Sequence, residues 1–224
     1  MMKQKELNIV GKSKAQNILR DYYSHIRTNL ESILDDNNLL LAISKKSYGH
    51  SNGFSKIVLH EDEVSGIKIR LHVWTDRVDD CDESDLHDHR WSFVSIPLFG
   101  HFNERRYTER PVDNGAQKKY KHLCFTRGNS EWLDVKGEKW VSLKLRQNLS
   151  RPAKHQYYCK YGVIHSFQPT NFPAASLIVT FDTSRQYARV YKNSPETTSS
   201  IKIPAPNYNI EILKDKIYFV LSNL

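Results

Sequence analysis

Two short stretches of the chain carry histidines at spacings that suit a metal ion. The first reads Leu86-His87-Asp88-His89-Arg90-Trp91-Ser92-Phe93. Successive side chains of a β-strand point to opposite faces, so His87 and His89 share a face and their imidazoles can converge on one ion; a helix needs i,i+4 spacing for the same result. The second stretch reads Tyr161-Gly162-Val163-Ile164-His165-Ser166-Phe167. Its Gly-x-x-His piece lets the chain turn tightly and then sets one histidine on the next strand. If the two strands lie side by side, His87, His89 and His165 form a three-imidazole site. A lone His-x-His is a weak signal, and the bland reading is a set of polar strand residues with no ion. Two independently spaced pieces that agree favour the metal. Neutral imidazoles suit Fe(II), Ni, Cu and Zn, and three protein ligands with open positions make a catalytic rather than a structural arrangement.

Such histidines need strands to hold them, and from about residue 56 the sequence reads as a series of short strands. Residues 67–74 alternate Ile67, Ile69, Leu71 and Val73 with Lys68, Arg70, His72 and Trp74, the period of a strand. Residues 87–98 read as one strand closed by Gly100. Further strand candidates cover 101–108, 120–126, 132–135, 139–145, 163–168, 175–182 and 188–191, with glycine-marked turns between several of them. This pattern predicts an antiparallel sandwich or barrel. Before it, residues 13–34 show helical spacing at Ile18, Tyr22, Ile26, Leu30 and Ile33, with Ser13 and Gln16 as a capping box. Residues 39–43 are a second apolar piece, helix or strand, and 47–52 read as a loop. The acidic stretch 76–85 lacks the glycine and terminal glutamate of a calcium loop and reads as solvated. Residues 193–209 read as an exposed connection, and 217–221 as a returning edge strand. The expected organisation is therefore an N-terminal helical segment (1–55) packed on a barrel (56–192), followed by a C-terminal extension (193–224).

Bulk properties narrow the function classes. At 224 residues, 39% hydrophobic and 26% charged, the chain has the composition of an ordinary soluble protein. No stretch approaches the ~18 consecutive apolar residues of a membrane span. The N-terminus has no apolar core of the kind a secretory signal carries, so a cytoplasmic location is expected. Three cysteines without a CxxC pair suit a reducing compartment and argue against a disulfide framework or a cysteine-held zinc. The net charge of +8 is spread along the chain, and with no basic run or RNA-binding signature it argues against nucleic acid as partner. A homodimer is compatible with the sequence.

The two histidine pieces resemble the two motifs of the cupin superfamily. The first cupin motif runs His-x-His, three or four residues, Glu, six residues, Gly; His87 and His89 match it, and Gly100 falls where the closing glycine belongs. The second contains Gly-x-x-His, matched by Gly162 and His165. At the level of strand order the likeness covers roughly residues 56–192, but its specific part is about twenty residues. The resemblance implies a double-stranded β-helix (jelly-roll) barrel, mainly β, preceded here by an α-helix. The glutamate position is occupied by Phe93, and the proline that often precedes the second glycine is absent. The segment between the motifs is long enough to hold an inserted hairpin near 108–138. Without its glutamate the site resembles that of three-histidine thiol dioxygenases, whose iron is held by histidines alone.

Several other residues are candidates for the surroundings of the ion. Trp91 and Phe93 share the face of His87 and His89 and are expected to line an apolar substrate pocket. If the Arg70 face looks inward, Arg70 can clamp a substrate carboxylate bidentately, and His72 can support or extend the metal shell. Glu104 can stand in for the missing glutamate. Tyr107 and Tyr161 are candidate acid/base hydroxyls, Arg90 points away with a structural role, and His101, His122 and His155 have no partner at ligand spacing. Three function classes follow. The first is a non-haem Fe(II) oxygenase using dioxygen on a small polar or amino-acid-like substrate. The second is a non-redox isomerase, lyase or hydrolase using Zn, Ni or Mn as a Lewis acid. The third is a non-catalytic binding module.

Overall fold

The computed structural model describes residues 4–50, 53–75, 86–112, 120–127, 132–134, 139–183, 185–192 and 207–224. The acidic stretch 76–85 and most of the 193–209 connection lie outside them. The helical period of residues 13–34 is realised as two helices rather than one. α1 (Gln4–Ser24) and α2 (Ile26–Asp35) meet at His25, whose backbone leaves the helical region at φ −115° and ψ 18°. Ser13 and Gln16 lie inside α1 and cap nothing. Asp36 starts α3 (Asn37–Ser44): its carboxylate accepts the N–H groups of Asn38 (2.9 Å) and Leu39 (3.0 Å), which would otherwise be orphaned at the helix start. The 39–43 run is therefore helical.

Strands follow as β1 (Tyr48–His50), β2 (Phe54–Glu61), β3 (Lys68–Trp74), β4 (Leu86–His87), β5 (Trp91–Phe99), β6 (His101–Pro111), β7 (Tyr120–Arg127), β8 (Trp132–Asp134), β9 (Lys139–Pro152), β10 (Tyr157–Cys159), β11 (Ile164–Pro169), β12 (Ala174–Thr183) and β13 (Ala188–Lys192). β1 occupies a stretch expected to be loop. Every pairing is antiparallel. One sheet contains the order β3-β12-β5-β10 and the other β4-β11-β6-β9. The chain crosses between the sheets at each step except β6 to β9, which is the jelly-roll arrangement. The expected mainly-β, double-stranded β-helix barrel with an N-terminal helix is the fold of this chain.

Between β6 and β9 the insertion appears as β7 and β8. β7 pairs with β9 and with β13, and β13 also pairs with β4. The strands β4, β11, β6, β9, β7 and β13 thus close a second circuit on the outer side of their sheet. Leu86, Tyr107, Val141, Leu143, Ile164 and Tyr191 pack together within it.

The C-terminal extension corrects one expectation. Residues 217–221 form no edge strand; they belong to α4 (Ile210–Asn223), capped by Asn209, whose side-chain oxygen accepts the Ile212 N–H at 2.8 Å. Leu213, Ile217 and Val220 recur at helical spacing and are buried, so burial of one helical stripe outweighs the strand-like composition of Ile217-Tyr218-Phe219-Val220-Leu221. The helices cover the outer face of the first sheet. There Leu19, Leu30, Leu40, Leu213 and Ile217 join Ile57, Leu71, Val73, Val94, Leu177 and Val179 in the main apolar core. No helix among the described residues is long and apolar enough to cross a membrane.

Candidate metal centre

The interior face of the barrel, opposite the helices, carries the candidate site. β4 is only two residues long, and the expected continuous strand 87–98 is interrupted at residues 88–90 before β5 begins. His87 is on β4 and His89 in the interruption, so their convergence does not come from strand alternation alone. His87 stands directly across from His165 in the β4–β11 pair. The Gly162 N–H donates to the His89 carbonyl at 3.1 Å. The three rings lie 4.7, 5.1 and 5.1 Å apart between centroids. One ligand nitrogen from each falls within 4.8 Å of the others, and the Nε2 atoms of His89 and His165 are 3.1 Å apart. Two imidazole nitrogens bound ~2.1 Å from one ion at a right angle would be about 3.0 Å apart. The donor set therefore fits a first-row divalent metal. His165 is buried, while His87 and His89 are half-buried, which leaves the centre approachable from their side.

Both motif glycines are required by backbone geometry. Gly100 turns β5 into β6 at φ +80°, where a Cβ would lie 2.6 Å from that of Ala174; Gly162 has φ +73°. L-residues with side chains rarely adopt such angles.

Asp88, between the two histidines, is the anchor of the interrupted segment. It is almost wholly buried and accepts from Arg185 Nη1 (2.6 Å), the Arg189 backbone N–H (2.6 Å) and Arg189 Nε (2.5 Å). Its own N–H donates to the Arg189 carbonyl at 2.9 Å. Arg189 also donates from Nη2 to the Gly162 carbonyl at 2.9 Å. One arginine on β13 thus ties the His-x-His segment to the Gly-x-x-His turn. Sequence reading missed this, because an Asp between two metal-face positions looks like a solvent-facing strand residue and its partners lie far along the chain.

Glu104 reaches the site from behind. It is fully buried on β6, with Oε1 3.4 Å from His165 Nδ1, the nitrogen facing away from His89. Arg106 Nε (2.7 Å) and Arg151 Nε (2.8 Å) hold its two oxygens. Burial alone would raise the Glu104 pKa, but His165 and Arg106 outweigh it and bring it to about 2. Burial alone would likewise lower that of His165, yet Cys159, whose Sγ is 4.0 Å from Nδ1, and Glu104 push it up to about 9. His89 is driven well below the ordinary histidine range, first by burial and then by His87, His165, Arg70 and Lys56. Glu104 is thus positioned to orient His165 rather than to join the three-nitrogen set; with Cys159 and His165 it forms a second group of potential metal ligands among the described residues. Cys159 carried no signal at the sequence level; only the fold brings it to His165.

The remaining candidates divide. Trp91 stacks on His89 (5.5 Å, 25°), and Phe93 meets it edge-on at 5.4 Å. Arg70 is buried, with its guanidinium carbon 5.0 Å from the centre of the other aromatic surface, the Trp91 ring. The Arg70–His72–Trp74 face therefore looks into the barrel. His72 packs against Phe54 at 4.5 Å and belongs to neither group of potential metal ligands among the described residues. Tyr107 pairs across from Ile164 and packs in the outer circuit, on the opposite face from His165. The Tyr161 ring lies beneath the Lys160 ammonium at 5.1 Å. Tyr107 therefore stands on the far side of its strand from the trio. Arg90 turns to the Gln186 carbonyl (3.5 Å), His101 to Ser150 (2.8 Å) and His155 to the Ala153 carbonyl (3.0 Å); the side chain of His122 lies outside the described part.

No family model matches the chain, and no curated protein matches it. Solved structures do. Hydroxypropylphosphonic acid epoxidase from S. wedmorenis is 11% identical with a TM-score of 0.36, covering 61% of this chain and 54% of its own. A structure of oxalate oxidase is 12% identical with a TM-score of 0.36, covering 78% of this chain and 73% of that one. The chain thus spans just over half the length of the epoxidase. Likeness at this distance assigns no residue, and the site stands on its own geometry.

Proposed function

We propose that this chain is a metal-dependent barrel enzyme whose ion is held by His87, His89 and His165, and that it acts as a non-haem Fe(II) oxygenase on a small polar or amino-acid-like substrate. The observation that carries this reading is the ligand set. Three imidazole nitrogens converge, and the buried carboxylate that reaches the group, Glu104, is turned to the far nitrogen of His165. A set of three neutral donors leaves positions for dioxygen and substrate together. Bound iron would supply the redox chemistry.

The chain's own residues do the rest. Arg70 presents a forked set of donors suited to a carboxylate. Trp91 and Phe93 wall the centre with aromatic surface and exclude water from it. Glu104 keeps a hydrogen-bond acceptor on His165 Nδ1, fixing Nε2 as the nitrogen that faces the ion.

The test is iron content after anaerobic purification, followed by oxygen uptake on addition of amino acids or thiols. Bound iron with substrate-dependent uptake supports the reading. Turnover supported by Zn or Mn under strict anaerobiosis would replace it with the Lewis-acid isomerase, lyase or hydrolase alternative.

A further inference from the structure

On the helical layer, far from the barrel interior, α3 has the sequence of a covered helix and the exposure of an uncovered one. It carries Leu39-Leu40-Leu41-Ala42-Ile43, five apolar residues in a row. Successive residues turn by about 100° around a helix, so this run goes round α3 instead of forming one stripe. Helices that are apolar all round are buried. One side of α3 is: Leu40 and Ile43 belong to the main core. The rest is open. Leu39 and Leu41 keep 38% and 43% of their surface, and Ala42 is exposed as well. Single exposed leucines need no explanation, but a continuous apolar surface does.

The surface extends to both sides of the helix. Beside Leu39 lies a groove of about 420 Å³, with Tyr22, Ile33, Leu59 and Ile69 in its lining. At the other end, the Tyr208 N–H donates to the Ser47 carbonyl at 2.8 Å and sets the start of α4 next to the end of α3. Ile212, in the first turn of α4, is 41% exposed.

Charge indicates what covers this face. Charged residues make up 26% of the chain and leave it at +8, yet none lies between Asn37 and Ser44. Two copies of the chain repel one another over most of their surface, but on this helix they meet no like charge. The two ends of the helix are complementary. Asp35 and Asp36 precede it, Lys45 and Lys46 follow it, and all four are exposed. Two such helices laid antiparallel put the acidic end of each beside the basic end of the other and set their macrodipoles head to tail. A surface complementary to itself in this way is what an isologous two-fold contact requires.

We infer that α3 is the centre of a two-fold contact between copies of this chain, each α3 running antiparallel to its counterpart, with Leu39, Leu41 and Ala42 in the middle and Asp35 and Lys45 at the rim. α3 is about 12 Å long and supplies only the middle of the roughly 800 Å² that each partner brings to a standard interface. The dimer is therefore reversible rather than obligate. The contact lies on the outer side of the first sheet and does not require the metal.

The test is sedimentation equilibrium of the full chain over a range from about 1 μM to about 300 μM. The expected result is a reversible equilibrium between the 26.2 kDa chain and twice that mass. Leu41→Glu puts a charge into the apolar middle and should weaken association at least a hundred-fold. Ala42→Lys removes no large side chain and should weaken it at least ten-fold, so a folding defect in the first variant, read by circular dichroism, does not decide the result. Asp35→Lys and Lys45→Glu should each weaken the dimer several-fold, and the double variant should return to within about two-fold of wild type. Val64→Glu, at an apolar residue 99% exposed elsewhere, should change nothing. A wild-type chain that stays monomeric throughout overturns the contact. So does a dimer that persists in folded Leu41→Glu and Ala42→Lys. A double charge variant no better than the single ones overturns the antiparallel arrangement.

Discussion

The two faces of β3 and β12 belong to different environments. On one face Ile69, Leu71, Val73, Ala175, Leu177 and Val179 are buried against the four helices. On the other, Arg70, His72, Ser176 and Thr180 look into the barrel beside the three histidines. The same strands therefore separate stability from chemistry. Helices covering the outer face free the interior from being the main apolar core, and the interior can then hold charged and unpartnered groups that an ordinary sandwich core would exclude.

This division can be broken at adjacent residues. Leu177→Ala removes a fully buried side chain from the helix-covered face and should cost about 2–5 kcal/mol of unfolding free energy, read by urea denaturation. Metal bound per folded chain should not change. Comparable loss of stability from an interior substitution that removes no ion pair would contradict the separation.

The largest stability effect expected from the interior belongs to Glu104. Its pKa falls from the ordinary 4.5 to about 2 on folding, so the unfolded chain binds the proton first as pH drops. Its contribution is full above the unfolded value and is lost between about pH 4.5 and pH 2. The shift corresponds to on the order of 3 kcal/mol. Denaturation of metal-free Glu104→Gln should show lower stability at pH 7 and a shallower decline below pH 5 than wild type. Parallel acid limbs for the two proteins would remove this role.

A smaller effect is expected at the outer circuit. Arg189→Lys removes the forked contact to Asp88 and Gly162, the link between the two histidine segments. Zinc affinity, measured by competition with a chelator, should fall by 10–100-fold, as it does for other outer groups that orient metal ligands. Unchanged affinity in a folded variant would show that the strands alone position the histidines. The smallest effect belongs to Ser176→Ala, beside Leu177 but on the inner face. Because its buried hydroxyl has no partner in the chain, removing it should raise stability, by about 1 kcal/mol.

What sequence reading could and could not reach follows the same division. The three histidines stood out in the sequence because His87 and His89 are two apart and His165 follows a turning glycine, although it is the β4–β11 pairing that brings them together. The strands that gather them were legible from alternation and turns. The break after His87 was not, because it is fixed by Asp88 bonds to Arg185 and Arg189, residues 97 and 101 positions away. The orientation of the Arg70 face was left open, because alternation distinguishes two faces without telling which is inside, and a polar face on a half-buried strand ordinarily looks to solvent. α4 was misread because Ile217-Tyr218-Phe219-Val220-Leu221 has strand composition, whereas Leu213, Ile217 and Val220 mark the helical stripe only over a longer window. Tyr107 shares β6 with Glu104 but faces the outer circuit, a consequence of alternation that its closeness in sequence to the site conceals.

The most direct test of the metal centre is elemental analysis of the purified chain beside His87→Ala, His89→Ala and His165→Ala. The account predicts about one first-row metal ion per wild-type chain and near-complete loss in each variant, with the fold retained by circular dichroism. Full metal content in all three folded variants would contradict it.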